Sequence, residues 1–361
     1  AKLFEANPDY DTNGGLLVQP SDIDTSVGQM AMYYATVTHS EKTRVIPAGK
    51  GEFIQACLDS EALLAGGKEE MKKHPRLITL VNVITPLQLD INMTNTLFNM
   101  GDAGQACVVA SAAMAGTTTP VTLASTIVYT TAEVISTIAL AQMKNPGVPC
   151  VFGSVSTTAD MRSAQIAIGA PENALCEKYV ALMSRFYHIP CRAGGAVTDA
   201  KIVDAQSGYE SMMNLMTDFN YHVNFILHAA GILDGYAASS AEKVVQDFEI
   251  LRYIKRYYED IDVDDDTVPM DLMKEVGHTG EFLTSEHTFE HMNCALVPTI
   301  SSRGVVQDNK EQMNINLKKQ IDRLVAAYKQ PEVDQATLDQ IKKILIAAGA
   351  EAALLDKIET M

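Results

Sequence analysis

Tryptophan is missing from this 361-residue chain, so any aromatic enclosure has to be built from its 13 tyrosines and 10 phenylalanines. Cysteine is sparse, and Cys57, Cys107, Cys150, Cys176, Cys191 and Cys294 are scattered without a C-x-x-C pair. That spacing argues against a disulfide framework and fits reduced thiols packed as small core residues in a cytoplasmic protein. Positive charge is also short: 28 Lys and Arg face 45 Asp and Glu, a net charge of −17. Such a surface repels phosphate backbones and anionic lipid, which makes nucleic acid and membrane poor partners. The most membrane-like window, Val121 to Met143, carries Glu133 and many Thr and Ser, and reads as a buried helix rather than a span. The chain opens Ala-Lys-Leu-Phe-Glu, with neither an initiator Met nor a basic-then-apolar leader. It reads as a processed product or a piece of something longer.

What is present is a regular alternation. Apolar runs predict strands at Gly15 to Gln19, Thr43 to Pro47, Arg76 to Ile84, Gln105 to Ala110, Pro149 to Ser154, Ile189 to Ala193 and Val223 to Ala229. Helix-period segments lie between them, at Ser26 to Thr38, Gly51 to Leu64, Met93 to Met100, Leu123 to Lys144, Asn173 to Tyr187, Ser207 to Asn220 and Ser240 to Glu259. Strands alternating with helices imply a parallel sheet. With no G-x-G-x-x-G after the first strand, the pattern points to an α/β (β/α)₈ TIM-type barrel, residues 1–260, its eighth strand missing or misread. After an acidic linker, Asp260 to Pro269, helices at Val268 to Val276, Asn309 to Tyr328 and Asp334 to Met361 form a C-terminal helical region, residues 261–361, packing on the barrel.

In parallel α/β folds, binding and catalysis sit in the loops after the carboxyl ends of the strands. The richest such loop runs from Pro190 to Glu210, where Arg192 and a Gly194-Gly195 turn precede Thr198, Asp199, Lys201, Asp204 and Gln206. Read alone, it is better taken as a Gly-assisted turn with an Asp/Ser helix cap. Other strand-end loops repeat the pattern: Ala115 to Leu123, rich in Gly and Thr, and Phe152 to Arg162, where Arg162 either pairs with Asp160 or faces a carboxylate. His228 closes the last strand. Gly277 to Thr288, with His278 and Phe282, reads as a lid or as a Gly-capped helix joint.

Two metal-like motifs are weak. His287-Thr-Phe-Glu-His291 matches H-x-x-E-H, in which two histidines one turn apart bind zinc, but a third ligand is needed and only Glu286 and His278 are near in sequence. The acidic run from Asp260 imitates a calcium loop, yet its sixth position is Asp265 rather than Gly and its twelfth is Asp271 rather than Glu.

Six spaced motifs together say more. They are Thr119-Pro-Val-Thr-Leu123 with Ala132-Glu133, Asp160-Met-Arg162, Gly169-x-Pro-Glu172, Thr198-Asp-Ala-Lys-x-x-Asp-Ala-Gln206 with Gly208 and Glu210, Ser240-x-Glu-Lys243, and Gly280-x-Phe-Leu283 with His287-Thr288. In this order, over most of the chain, they resemble the trimethylamine-type corrinoid methyltransferase family. Members of that family usually carry a further N-terminal segment, which supports the expectation of a fragment. Its archetype contains pyrrolysine; none occurs here, and the region expected to hold it, Gly231 to Tyr236, reads straight through. The resemblance therefore implies the branch that acts on quaternary amines, glycine betaine first, with proline betaine, carnitine and butyrobetaine as other candidates.

The implied reaction passes a methyl group to the Co(I) corrinoid (cobalamin) of a cognate partner protein, with no metal bound directly by this chain. A quaternary ammonium already holds its leaving nitrogen as a cation, so no acid–base dyad is required, and catalysis is positioning and exclusion of water. Cation recognition asks for aromatic faces. Tyr129, Tyr209, Phe225 and Phe282 are the candidates, with Glu133 as counter-charge. The substrate carboxylate asks for donors, and His228 leads Arg192, Lys201 and Arg162. Asp199, Gln206 and His278 are expected to orient neighbours or to meet the corrinoid. A homo-oligomer is expected. The competing readings are a zinc-dependent barrel methyltransferase or hydrolase using His287 and His291, and a betaine-binding module without turnover.

Overall fold

The computed structural model describes residues 1–14, 21–304 and 311–361. At its centre is one sheet of seven parallel strands: β1 (Thr12–Gly14), β2 (Thr43–Pro47), β3 (Leu77–Val83), β4 (Ala106–Ser111), β5 (Cys150–Ser154), β6 (Cys191–Gly195) and β7 (Phe225–His228), side by side in chain order. A helix follows each strand and returns the chain to the same end: α1 (Thr25–His39), α2 (Gly51–Leu64), α3 (Ile91–Asp102), α4 (Leu123–Lys144), α5 (Pro171–Phe186), α6 (Ala205–Asn220) and α7 (Ala241–Tyr258). All seven carboxyl ends thus share one rim.

The expected strand at Gly15 to Gln19 lies outside the described residues, and the first strand among them is Thr12–Gly14. An eighth strand closing a ring does not occur among the described residues; the sheet is seven strands long and curled. The curl shows where its edges approach. Just before β1, Tyr10 donates through its hydroxyl to the carbonyl of Ala229, just after β7, at 3.1 Å, and packs among Phe4 and Phe248 with ring centroids 5.4 and 4.7 Å away.

The sheet alternates as half-buried strands do. Along β3, Leu77, Thr79, Val81 and Val83 are buried beneath the helices, while Ile78, Leu80 and Asn82 on the other face are part-exposed. Strand β6 begins two residues later than the apolar run suggests, because Gly194 and Gly195 continue the ladder, with Gly195 opposite His228. Only glycine fits at 195: φ is 104°, and a Cβ there would lie 2.7 Å from Ile226 Cγ2 and 2.8 Å from the His228 carbonyl. Helix α5 starts with Pro171 in its first turn. Helix α6 starts at Asp204, whose carboxylate accepts from Ser207 N at 3.0 Å while Ser207 Oγ accepts from Asp204 N, a capping box.

Helix α4 is long and apolar enough, by length and composition, to cross a membrane. One face of it, Thr126, Thr130, Glu133, Val134, Thr137, Ile138 and Ala141, is buried in the protein.

After α7 come short helices at Met270–Val276 and Glu286–Glu290, then α8 (Gln312–Ala327), α9 (Gln335–Ala347) and α10 (Ala352–Glu359). The expected single tail helix from Asp334 is two, broken at Gly349 with φ 108°. These helices share the main cores: Leu317 and Leu324 pack with Phe248 and Leu251 of α7, and Ile341, Leu345, Leu355 and Ile358 pack with Tyr34, Phe53 and Leu97. Leu345 is fully buried. Leu345→Ala therefore lowers the free energy of unfolding by about 2–5 kcal/mol, read as a lower urea midpoint; a midpoint within error of the parent would mean that α9 sits loosely on α2.

Candidate functional site

Where the strands end, the sequence turns from apolar to hydroxyl-bearing residues, and these side chains bond along the rim rather than outward. Glu133, buried on α4, accepts from Thr85 Oγ1 (2.9 Å) and Leu87 N (2.8 Å) after β3, and from Ser111 Oγ (2.6 Å) at the end of β4. Ser156 shares a hydrogen bond with Thr130 of α4 (2.7 Å), donates to the Ser111 carbonyl (3.3 Å), and through its backbone N–H donates to Ser154 Oγ (2.9 Å). The Ser154 carbonyl in turn accepts from Arg192 Nη1 at 2.7 Å. One polar chain thus crosses the ends of β3, β4, β5 and β6.

It ends on a buried cation. Arg192 is 0% exposed. Its strand partners are Gly153 and Phe225, one of the expected aromatic residues. Arg192 Nη2 lies 2.7 Å from His228 Nδ1. A guanidinium can only donate, so Nδ1 is the bare nitrogen of His228 and Nε2 carries its proton. Burial first, and the neighbouring Arg192 second, hold the imidazole well below its usual pKa, so it stays neutral and keeps Nε2–H as a donor. The ring of Tyr236 covers His228 at 4.9 Å between centroids, and burial raises its phenol above the usual value.

Two carboxyls stand behind β6. Glu177 of α5 accepts from Gly194 N (3.0 Å) and Asn173 Nδ2 (3.1 Å), and burial pushes it up to about 8. Asp218 of α6, also buried, is raised by burial and then by Glu177. The turn after β7 is held from α7, where Asp247 accepts from Gly231 N at 2.8 Å and pairs with Lys243, which donates to Ser211 Oγ at 2.9 Å. Both members of that ion pair are fully buried, and burial pushes Asp247 up to about 6.

Of the residues singled out from the sequence, the structure brings together Arg192, His228 and Phe225. Asp199 and Gln206 turn inward: Asp199 accepts from Ile168 N and Gly169 N, each at 3.0 Å, and Gln206 donates to Glu210 at 2.9 Å. Glu210 binds Thr198 Oγ1 (2.5 Å) and Asp199 N (2.9 Å). Lys201 pairs with Asp234. Arg162 pairs with Asp160 at 3.1 Å and is 92% exposed. Tyr129 is part-buried on α4, one turn before Glu133. Tyr209 is 63% exposed and lines a separate cavity of about 340 Å³ between α6 and α7, with Met212, Tyr253 and Met313. Phe282 is 44% exposed and His278 exposed, both beyond α7.

The His287 and His291 rings lie 4.3 Å apart between centroids, tilted by 38°. Asp266 sits 3.5 Å from His291 Nε2 and Cys294 Sγ 3.9 Å from Nδ1. They lie on opposite nitrogens of one ring and do not converge, and among the described residues no group of three such side chains is arranged to hold a metal.

Tyr236, Glu177 and Asp218 were missed by the sequence reading. Glu177 and Asp218 had a signal: each places a carboxyl on the buried stripe of its helix, beside Ala174 and Val180 in one case and Leu215 in the other.

The family described as trimethylamine methyltransferase (MTTB) matches residues 1–351. The chain belongs to the trimethylamine methyltransferase family. Similar proteins include the glycine betaine methyltransferase of Desulfitobacterium hafniense (strain Y51), 38% identical over 355 residues, covering 97% of this chain and 74% of that protein. The proline betaine:corrinoid methyltransferase of Eubacterium limosum is 30% identical over 279 residues, 75% of this chain and 58% of that protein. The trimethylamine methyltransferase MttB of Desulfitobacterium hafniense (strain DSM 10664 / DCB-2) is 29% identical over 275 residues, 76% of this chain and 55% of that protein. The chain thus spans little more than half the length of the latter two relatives.

In this family member the buried Lys243–Asp247 pair fixes the rim after β7. Lys243→Met leaves the Asp247 carboxyl buried without its cation and costs about 3–5 kcal/mol of stability, while Lys243→Met with Asp247→Asn, which keeps an acceptor for Gly231 N, restores most of it. Denaturant unfolding of both variants checks this; an equal loss in the two would show that the pair is not the term that matters.

Proposed function

We propose that this protein moves a methyl group from a quaternary amine, glycine betaine, to the Co(I) corrinoid of a cognate partner protein, leaving dimethylglycine. The observation that carries the reading is the buried Arg192 guanidinium beside a neutral His228 at the rim. That unit offers a fixed positive charge and an N–H donor to a carboxylate, the group that distinguishes a betaine from trimethylamine. The similarity to a glycine betaine methyltransferase along 97% of this chain supports the same substrate.

His228 Nε2–H and Arg192 hold the substrate carboxylate, and Phe225, beside Arg192 on the same face of the sheet, offers an aromatic surface to the trimethylammonium. Tyr129, Tyr209, Phe282, Lys201 and Arg162 stand further from this unit, and Glu133, bonded to three rim groups, holds the scaffold on which the cation rests. The corrinoid supplies a nucleophile that accepts the methyl group, and the amine leaves neutral. The chain's part is to bind, orient one methyl and keep water out. Asp199 and Gln206 use their polar atoms within the protein, so towards a corrinoid they fit as residues that orient the Thr198–Glu210 loop. His278, exposed beyond α7, is free to face the partner.

The same reading takes residues 1–260 as a barrel of the (β/α)₈ kind, supported by the Tyr10–Ala229 contact across its open edge, and residues 261–361 as its helical extension. A homo-oligomer fits the apolar side chains left exposed along α4 and α5, among them Val128, Met143, Leu182 and Phe186, and the unpaired cysteines fit a cytoplasmic place.

The test is loss of the Co(I) absorption of free reduced cobalamin when glycine betaine, proline betaine, carnitine or trimethylamine is offered separately. Turnover with glycine betaine and none with trimethylamine is expected; the reverse would refute the substrate, and betaine binding without turnover would make this a binding module. His228→Ala weakens betaine binding by about 1.5–3 kcal/mol, the worth of one hydrogen bond to a charged group, as read by calorimetry.

A further inference from the structure

Four buried polar atoms around β6 have no hydrogen-bond partner: Arg192 Nε, Glu177 Oε2 and both carboxyl oxygens of Asp218. A buried polar group left unpaired is costly, and four on three charged side chains in one place need a reason. The three interact electrostatically, Arg192 with Glu177 and with Asp218, and the two carboxyls with each other. Glu177 is tied to the backbone of the strand that carries Arg192 through Gly194, and its neighbour Asn173 bridges to Asn214 of α6 at 3.3 Å.

The other ionisable groups facing this cluster are few. Cys176 neighbours Glu177, Cys191 neighbours Asp218, Tyr236 senses both carboxyls and Arg192, and neutral His228 lies on the far side of the guanidinium. One cation thus faces two carboxyls, and where burial penalises every uncompensated charge they cannot both ionise freely.

We infer that Glu177 and Asp218 are positioning residues that hold and balance Arg192, and that a substrate carboxylate arriving at Arg192 is accompanied by uptake of a proton on this pair. The inference rests on the betaine reading. A carboxylate at the guanidinium takes over its compensation and adds negative charge beside the pair, so a carboxyl still ionised becomes harder to keep so. Because burial pushes Glu177 up to about 8, the effect falls in an accessible range. The sign follows: betaine binds more tightly as pH falls through that range, and a quaternary amine without a carboxylate is indifferent.

The test is calorimetric titration of the full chain with glycine betaine, and separately with choline, in buffers of different ionisation enthalpy near pH 8. It is repeated on Glu177→Gln and Asp218→Asn. Proton uptake is expected with betaine and not with choline, with a betaine Kd that rises by up to about tenfold per pH unit above the titration. Both variants lose the uptake and flatten the pH dependence, which a merely structural role would not do. Should one variant fail to fold, the other and the betaine–choline comparison on the parent still decide. Betaine binding without proton uptake, or with uptake unchanged in a folded variant, overturns the inference alone. No betaine binding at any pH overturns the substrate reading and this inference with it.

Discussion

The burial of Arg192 is the constraint on which the rest of the rim depends. A guanidinium with no exposure cannot shed its charge easily, and removing it from water costs several kcal/mol unless the protein replaces the lost hydration. The replacement comes from every side. The carbonyl of Ser154 and the bare nitrogen of His228 accept its two terminal amines, and two carboxyls supply long-range compensation from behind the strand. One consequence is that His228 has no choice of tautomer. A second is that Ser154 must offer its carbonyl to Arg192, so its hydroxyl is left for Ser156, and from there the chain of bonds runs back to Glu133.

Small residues make this possible. Gly153, opposite Arg192, lets β5 lie close against β4, since a Cβ there would come within 2.7 Å of Val108 Cγ1. Gly195 carries the strand into a turn that no side chain would allow so close to β7. The elements on either side are fixed by stronger means. Lys243 and Asp247 bury an ion pair to anchor Gly231, and Glu249, also on α7, gathers the N–H and hydroxyl groups of Thr299 and Ser301 into one carboxylate. The helix beyond the last strand thus holds the rim on one side and the C-terminal segment on the other.

Most of the fold was legible in the sequence, because a parallel sheet covered by helices writes itself as apolar runs spaced by amphipathic segments. Strands 43–47, 77–83 and 150–154 fell within a residue of the expected bounds. The errors have physical causes. Gly194 and Gly195 read as a turn, yet ladder bonding to His228 keeps them in the strand. For the Thr198–Glu210 loop the sequence left two roles open, orienting neighbours or meeting the corrinoid, and Asp199 and Gln206 spend their polar atoms on backbone N–H groups and on Glu210, since a conspicuous polar loop is as often its own scaffold as a binding surface. In the opposite direction, Glu177 and Asp218 drew no notice because they sit inside helices whose outward faces look ordinary. Tyr236 reaches His228 only through the hairpin of Ile232–Leu233 with Ala238–Ser239, a pairing of two residues a side that no periodicity announces.

The chemistry proposed for this site also explains why its titratable groups are arranged as they are. Removing a methyl group from a quaternary nitrogen releases a neutral amine, so no proton has to be delivered to the leaving group and no acid need be poised for it. The charges that matter belong to the substrate and do not titrate near neutrality: a permanent cation at one end and a carboxylate at the other. A site for such a molecule must answer two fixed charges a few bonds apart without letting them collapse onto its own ionised groups. Two carboxylates fully ionised beside Arg192 would compete with the substrate for the guanidinium. Burial raises both, so the two do not ionise freely together, and part of the positive charge is left for the substrate. The same burial that makes the pair expensive as charges makes it ready to take up a proton when a further negative charge arrives, and it explains why the acids stand behind the strand while neutral His228 stands in front.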